Sequence, residues 1–186
     1  MNIDIKNIIN EHILTANNLL DDINLIEEIC SLSLKTIEEG NTILLCGNGG
    51  SASDSIHISS EIVGKFEKER KALPSISLTS NPSNLTAIAN DFGFEHIFSR
   101  QIEAIGKKGD LLIAISTSGN SKNIINAINY ASSNELNVVA LTGKDGGKIN
   151  AMDCITLKVP SNNVARIQEM HILIGHIISK YIEENC

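Results

Sequence analysis

Five short apolar segments recur along most of the chain, and helical patterns separate most of them. Each segment is almost continuously apolar and β-branched, which is typical of strands covered on both faces of a parallel sheet. Their alternation with helices predicts an α/β fold, a doubly wound three-layer α/β/α sandwich around a five-stranded parallel flavodoxin-like sheet. The segments are TILLC (42–46), SISLT (75–79), LLIAI (111–115), VVALT (138–142) and CITLKV (154–159).

The segment before the first strand has a different character, because residues 2–40 show helical spacing alone. A break at residues 21–22 divides this segment into two helices. Asn24 and Glu27 predict a capping box at the start of the second helix, and Gly40 predicts its end. We predict one domain over residues 1–186, in which residues 1–40 pack in an oligomer and residues 41–186 form the α/β core and C-terminal helix.

Composition and charge exclude several classes of function. The 186 residues carry a net charge of −7 without a long basic cluster, and aromatic residues make up only 3% with no Trp, so we expect no nucleic-acid partner. No apolar run of spanning length or signal-peptide pattern is present, so we expect no membrane contact and a cytoplasmic location. The four cysteines lack CxxC spacing, which favours free thiols.

Two turns of small residues, each between a strand and a helix, are the candidate ligand-binding loops. Residues 47–52 fit the G-x-G-x-x-A pattern of dinucleotide binding, but the next strand ends Thr79-Ser80-Asn81 without the acidic residue that holds a ribose. The second turn, STSGNS (116–121), offers four hydroxyls before a helix that starts near Lys122, and Gly119 would let the backbone approach a ligand. This pattern indicates a phosphate cradle, the alternative being an ordinary turn with a serine N-cap.

Three further groups of polar residues are candidates for catalysis. His57 and Glu61, at i and i+4, share a helix face and suit metal binding or acid–base work, although a plain side-chain pair is the alternative. Asp91 could be a catalytic carboxylate, but the sequence favours a cap for the next helix. In the apolar run 164–181, His171 and His176 diverge by about 140° around a helix, so at least one should be a core histidine.

Taken together, CGNGGSASDSIHISSEIVG, NDFGFEHIFSRQIEAIGKKGD, ISTSGNSKN, LTGKDGGK and RIQEMHILIGH resemble the phosphoheptose isomerase family of sugar-isomerase (SIS) domain proteins. The order and spacing of these motifs match across nearly the whole chain. The resemblance implies a homotetrameric aldose–ketose isomerase that converts sedoheptulose 7-phosphate into D-glycero-D-manno-heptose 7-phosphate. That reaction is the first step toward the heptose of bacterial surface polysaccharides.

The resemblance also implies roles for individual residues. It assigns one Zn²⁺ per subunit to His57, Glu61, Gln168 and His176, and the general base and acid to Glu61 and His176. The substrate-binding positions that it implies are Asn48, Gly49, Gly50, Ser51, Asn90, Asp91, Ser116, Thr117, Ser118, Ser121 and Gln168. One departure is Lys65, which stands where many members have an arginine. A lysine ammonium at this position cannot donate the two parallel hydrogen bonds that an arginine guanidinium can.

Two alternatives to an isomerase belong to other classes of function. A non-catalytic SIS-domain protein could act as a tetrameric adaptor, and another SIS protein could act as a sugar-phosphate sensor. The adaptors lack the His, Glu, Gln and His set that this chain has complete, which favours the enzyme.

Overall fold

The computed structural model describes residues 3–186, so the first two residues of the predicted domain lie outside the described part. Seven α-helices and five strands follow in the order expected of an α/β fold. They are α1 (Ile5–Asn18), α2 (Ile23–Glu38), β1 (Ile43–Gly47), α3 (Gly50–Val63), β2 (Ser75–Ser77), α4 (Pro82–Phe92), α5 (Ser99–Ile105), β3 (Leu111–Ser116), α6 (Lys122–Ser133), β4 (Asn137–Gly143), β5 (Ile155–Val159) and α7 (Val164–Asn185).

The five strands form one parallel sheet in the order β2-β1-β3-β4-β5, which is the flavodoxin-like order. Alternate side chains along β1 enter two different cores. Ile43 and Leu45 pack with α2, α3 and α7, whereas Leu44 and Cys46 pack with α5 and α6. Both faces of the sheet are therefore covered, which explains why most positions in its central strands are apolar on both faces. The predicted fold class is confirmed.

Two predicted helix starts were wrong. The helix α2 begins at Ile23, and its cap position is Asp22, without a side-chain capping hydrogen bond and without the predicted box at Asn24. A 3-10 turn over Leu19–Asp22 links α1 to α2 and forms the predicted break. Asp91 lies in the last turn of α4 and does not cap the following 3-10 turn, whose cap position is Gly93.

The N-terminal helices leave an apolar surface exposed. Helix α1 packs on α7, yet Ile5, Ile9 and Ile13 are each about half exposed or more. Beside them, an apolar groove of about 370 Å³ runs between α1, α2 and α7. This exposed surface is where the sequence predicted oligomer packing.

The long helix α7 resolves the choice between its two histidines. His171 is fully buried, and its Nε2 donates a hydrogen bond to the carbonyl oxygen of Thr142 at 3.0 Å. Burial lowers the pKa of His171 to about 4, although the bond to Thr142 opposes that shift. His171 is therefore the neutral core histidine. Within residues 3–186, no helix is both long and apolar enough to cross a bilayer, and all four cysteines are free thiols.

Candidate active site

Helices α3 and α7 come unusually close because one of them carries a glycine at the contact. A Cβ built on Gly175 would lie 2.3 Å from the side chain of Ile58, so only glycine fits this position. Gly175 precedes His176, and Ile58 follows His57. The close approach of the two helices therefore brings His57 and His176 together.

Three ionisable side chains meet at this contact between α3 and α7. His57 Nε2 lies 3.0 Å from Glu61 Oε1 and 3.4 Å from His176 Nε2, and the ligand atoms of all three residues lie within 4.8 Å of one another. The two rings meet edge to face with centroids 5.0 Å apart. His57 and His176 are 119 positions apart in the sequence. The structure thus joins both predicted catalytic residues and three of the four predicted metal ligands.

Gln168, the fourth predicted metal ligand, lies against the glycine turn that precedes α3. A Cβ on Gly50 would stand 2.4 Å from Gln168 Nε2, so Gly50 leaves room for this amide. Gly49 adopts φ +57, a conformation that favours glycine, and Ser51 begins the buried face of α3. Gln168 and the glycine turn therefore lie side by side at the N-terminal end of α3.

The two candidate ligand loops are joined by a pair of amide hydrogen bonds. Asn48 Nδ2 donates to Asn123 Oδ1 at 2.9 Å, and Asn123 Nδ2 donates to Asn48 Oδ1 at 2.8 Å. Because Asn123 lies in the first turn of α6, the pair ties the glycine turn to the helix that follows the hydroxyl loop. A cavity of about 230 Å³ opens there, lined by Asn48, Phe94, Glu95, Ser121, Lys122 and Asn123.

The hydroxyl loop 116–121 has a compact internal structure. Ser116 Oγ donates to Ser121 Oγ at 3.2 Å, and Ser118 Oγ accepts from the backbone N–H of Asn120. Thr117 is half-buried between them. The role predicted for Gly119 needs correction, because this glycine, at φ +63, packs against the carbonyl of Gly146 instead of facing open space. The backbone of Gly146, and not a ligand, makes the close approach to Gly119.

Two predicted substrate residues are hydrogen-bonded to each other and form no hydrogen bond with the histidine cluster. Asn90 and Asp91 are exposed at the end of α4, and Asn90 Nδ2 donates to Asp91 Oδ1 at 2.8 Å. The chain continues from them to Phe94 and Glu95, which line the cavity beside Asn48. Lys65 is exposed just after α3. The segment after Asp91 therefore reaches the cavity of the candidate site within a single chain. Neither Asn90 nor Asp91 forms a hydrogen bond with the other site residues.

Sequence reasoning missed several residues that shape the site. Asp54 lies one turn before His57, and burial raises its pKa to about 6 although His57 opposes the shift. The ring of Phe66 packs on His176 with centroids 5.5 Å apart. Asn123 was part of a quoted motif but had no assigned role. None of these residues shows a local sequence pattern, because each contact depends on the tertiary fold.

The geometry defines a class of protein, and comparison with known proteins agrees. Residues 13–143 match the model of the SIS domain. The phosphoheptose isomerase of Aliarcobacter butzleri is 51% identical over 158 residues, which cover 85% of this chain and 84% of that protein. The structures of phosphoheptose isomerases from Neisseria gonorrhoeae and Francisella tularensis superpose with TM-scores of 0.92 and 0.93 at 40% and 36% identity, covering 97% of each chain.

The fold and the domain match therefore define an SIS-domain protein of the α/β sandwich type. Within that class, the chain belongs to the phosphoheptose isomerase family.

The tight packing of Gly119 can be tested against a glycine that shares its backbone conformation. Gly40 also has positive φ, +78, but a Cβ there would meet nothing within 4 Å, whereas a Cβ on Gly119 would stand 1.8 Å from Gly146 O. We expect Gly119→Ala to lower the free energy of unfolding by roughly 1–3 kcal/mol more than Gly40→Ala. Urea denaturation measures both, and equal losses would contradict the packing described here.

Proposed function

We propose that this protein is an aldose–ketose isomerase that converts sedoheptulose 7-phosphate into D-glycero-D-manno-heptose 7-phosphate. Family membership supports the reaction class, since the similar proteins are phosphoheptose isomerases. The observation that carries the proposal is the meeting of Glu61 and His176 from two different helices, of which α3 begins at the glycine turn that contributes Asn48 to the cavity. A non-catalytic adaptor would have no use for a carboxylate and two imidazoles held together in this way.

The reaction moves one proton between neighbouring carbons through an enediol. A base removes a proton from C1 of the ketose, the C1–C2 double bond forms, and the C2 oxygen gains a proton. The C1 hydroxyl then loses its proton while C2 receives one, which leaves the aldose. We assign the carbon-bound proton to Glu61, which is partly exposed at the cluster, and the transfer between the two oxygens to His176.

The phosphate group would bind at the hydroxyl loop, remote from the reacting carbons. The N-terminus of α6 presents unpaired N–H groups and a partial positive charge, and Ser116, Thr117, Ser118 and Ser121 add hydroxyls. Lys122 lines the same cavity as Ser121. Binding energy from the phosphate can then hold C1 and C2 against the catalytic groups. The part of the sugar between the phosphate and the reacting carbons would contact the glycine turn and α7, at Asn48, Gly49, Gly50, Ser51 and Gln168.

We further propose that His57, Glu61 and His176, together with Gln168, hold one Zn²⁺. Two imidazoles and a carboxylate are a common donor set for catalytic zinc. Two ligand atoms about 2.0–2.1 Å from a tetrahedral ion stand about 3.3–3.4 Å apart, and the two Nε2 atoms are separated by 3.4 Å. Zinc bound there would polarise a substrate oxygen. Because a metal-bound carboxylate is a weaker base, the two roles of Glu61 compete.

The remaining proposals concern the oligomeric state, the location and the pathway of the enzyme. We propose a cytoplasmic homotetramer that serves the first step toward the heptose of bacterial surface polysaccharides. The exposed apolar face of α1 and the groove beside it support burial against further copies of the chain. Asn90 and Asp91, which precede the cavity-lining residues Phe94 and Glu95, remain predicted substrate residues.

Replacing Glu61 with glutamine tests the base. We expect Glu61→Gln to lower kcat by about 10²-fold or more, because an amide cannot accept the carbon-bound proton, while the thermal midpoint changes little. Aldose formation from sedoheptulose 7-phosphate is the measurement. Glu67→Gln is the matched control, since Glu67 is an exposed glutamate that pairs with Lys180. A fully active Glu61→Gln would refute the base assignment, and an inactive wild type would refute the reaction.

Elemental analysis of protein purified without chelator tests the metal. We expect about one zinc per chain in the wild type, and little in His57→Ala, because that variant removes the donor that contacts both other ligands. His96→Ala, which changes a half-buried histidine outside the cluster, should retain the metal. Wild-type protein that is fully active without any metal would remove zinc from the proposal.

The mass of the protein in solution tests the tetramer. We expect Ile9→Asp to shift the assembly toward smaller species, because it places a charge on the apolar face of α1. Asn10→Asp adds the same charge to the same helix at a polar exposed position and should leave the assembly intact. Light scattering coupled to size exclusion measures both, and a monomeric wild type would contradict the proposal.

A further inference from the structure

The loop between α3 and β2, residues 64–74, has no regular secondary structure, yet one side chain from α7 organises its backbone. Three consecutive N–H groups, those of Phe66, Glu67 and Lys68, donate to the carboxylate of Glu183 at 2.8, 2.7 and 2.9 Å. Successive N–H groups that converge in this way form a nest for an anion. Here the anion is part of the protein itself.

Arg70, two residues after Lys68 in the same loop, completes this arrangement. Its Nε lies 3.4 Å from Glu183 Oε1, and the two side chains are only 7% and 2% exposed. Its guanidinium also donates to the carbonyl oxygens of Glu61 at 2.8 Å and Gly64 at 3.3 Å. These carbonyls belong to the last turn and the C-cap of α3, where a cation is favourable. Arg70 thus links Glu183 to the helix end that carries Glu61.

The position of Glu183 is unfavourable for the stability of helix α7 considered alone. Glu183 lies in the last turn of the helix, where the helix dipole opposes a negative charge. Burial also opposes ionisation, but the three N–H donors and Arg70 hold the pKa of the Glu183 carboxyl below its usual range. The carboxylate is therefore retained by its contacts with the loop.

One consequence of the ordered loop reaches the candidate active site. Phe66, whose own N–H is bound by Glu183, places its ring 5.5 Å from the ring of His176 at an interplanar angle of 38°. His176 thus has a neighbour on two sides. The ring of Phe66 packs on its ring, and Nε2 of His57 lies close to its Nε2. The rotation of the His176 ring is limited by both neighbours.

We propose that Glu183 and Arg70 are positioning residues for the isomerase reaction: they hold the loop after α3 so that Phe66 orients His176, and they support the helix end that carries Glu61. This inference rests on the proposed function for its kinetic part. It assigns no contact with substrate to Glu183, Arg70 or Phe66. Their effect on turnover passes through His176 and Glu61.

A double-mutant cycle on kcat tests the proposal. We expect Glu183→Gln and Phe66→Leu each to lower kcat about ten- to a hundred-fold with KM nearly unchanged, because a misplaced catalytic group slows chemistry more than binding. The loss in the double variant should be much smaller than the product of the two single losses, since both changes share the contact of Phe66 with His176. Glu184→Gln is the matched control, because it breaks an exposed ion pair between α7 and Lys68 of the same loop. It should keep wild-type kcat.

Several outcomes would overturn the proposal. Wild-type kcat in Phe66→Leu, or single-variant losses that multiply in the double variant, would show that the loop does not act through Phe66. A loss confined to thermal stability would leave only a structural role. If Glu183→Gln does not fold, Arg70→Lys replaces it in the cycle, because lysine keeps the charge but cannot hold Glu183, Glu61 and Gly64 together.

A second readout separates this inference from the proposed function. In the wild type, the ring current of Phe66 should shift the His176 ring protons in the NMR spectrum, whether or not the protein turns over any sugar. We expect that shift to disappear in Phe66→Leu, to diminish in Glu183→Gln and to persist in Glu184→Gln. A shift unchanged in Glu183→Gln would overturn the positioning role. An inactive wild type with the expected shifts would instead overturn the sugar-phosphate reaction alone.

Discussion

The site depends on the close packing of α3 against α7, and that packing depends on the missing side chain of Gly175. Both helices contribute to the same close-packed core, so neither could retreat to admit a Cβ against Ile58. The contact places His176 beside the i, i+4 pair of His57 and Glu61. Because all three side chains project from helices, helix packing sets their separations, and the loop after α3 adds the ring contact of Phe66 with His176.

The fold was predictable from the sequence because burial on both faces of the sheet leaves a strong local pattern. The strands appear as short apolar runs, and the structure differs from those predicted only at their ends. Helix starts were less predictable. Asn24 and Asp91 have the residue types of caps, but whether such a residue caps depends on the backbone of the preceding turn, which residue type alone does not specify.

The candidate site was predictable in part, and the limit has a physical cause. Periodicity placed His57 and Glu61 on one face, since that relation is local to a helix. It could not choose between His171 and His176, because α7 is buried around most of its circumference and both histidines face packed elements. Only the tertiary contacts distinguish them: His171 bonds to Thr142 in the core, and His176 meets α3. Glu183, Arg70 and Phe66 were missed for the same reason, because their partners are distant in the sequence.

The chain binds its own buried anion with neutral backbone donors and one guanidinium, and the same strategy would serve for a phosphate. Glu183 is held mainly by three N–H groups, and the hydroxyl loop likewise offers hydroxyls and the N-terminus of α6, with Lys122 lining the same cavity. Such donors act over hydrogen-bond distances, whereas the repulsion from a net charge of −7 is spread over the surface and screened beyond about 8 Å at physiological ionic strength. An acidic protein can therefore accommodate an anionic sugar, because the directed contacts within the site outweigh the screened field of the whole molecule.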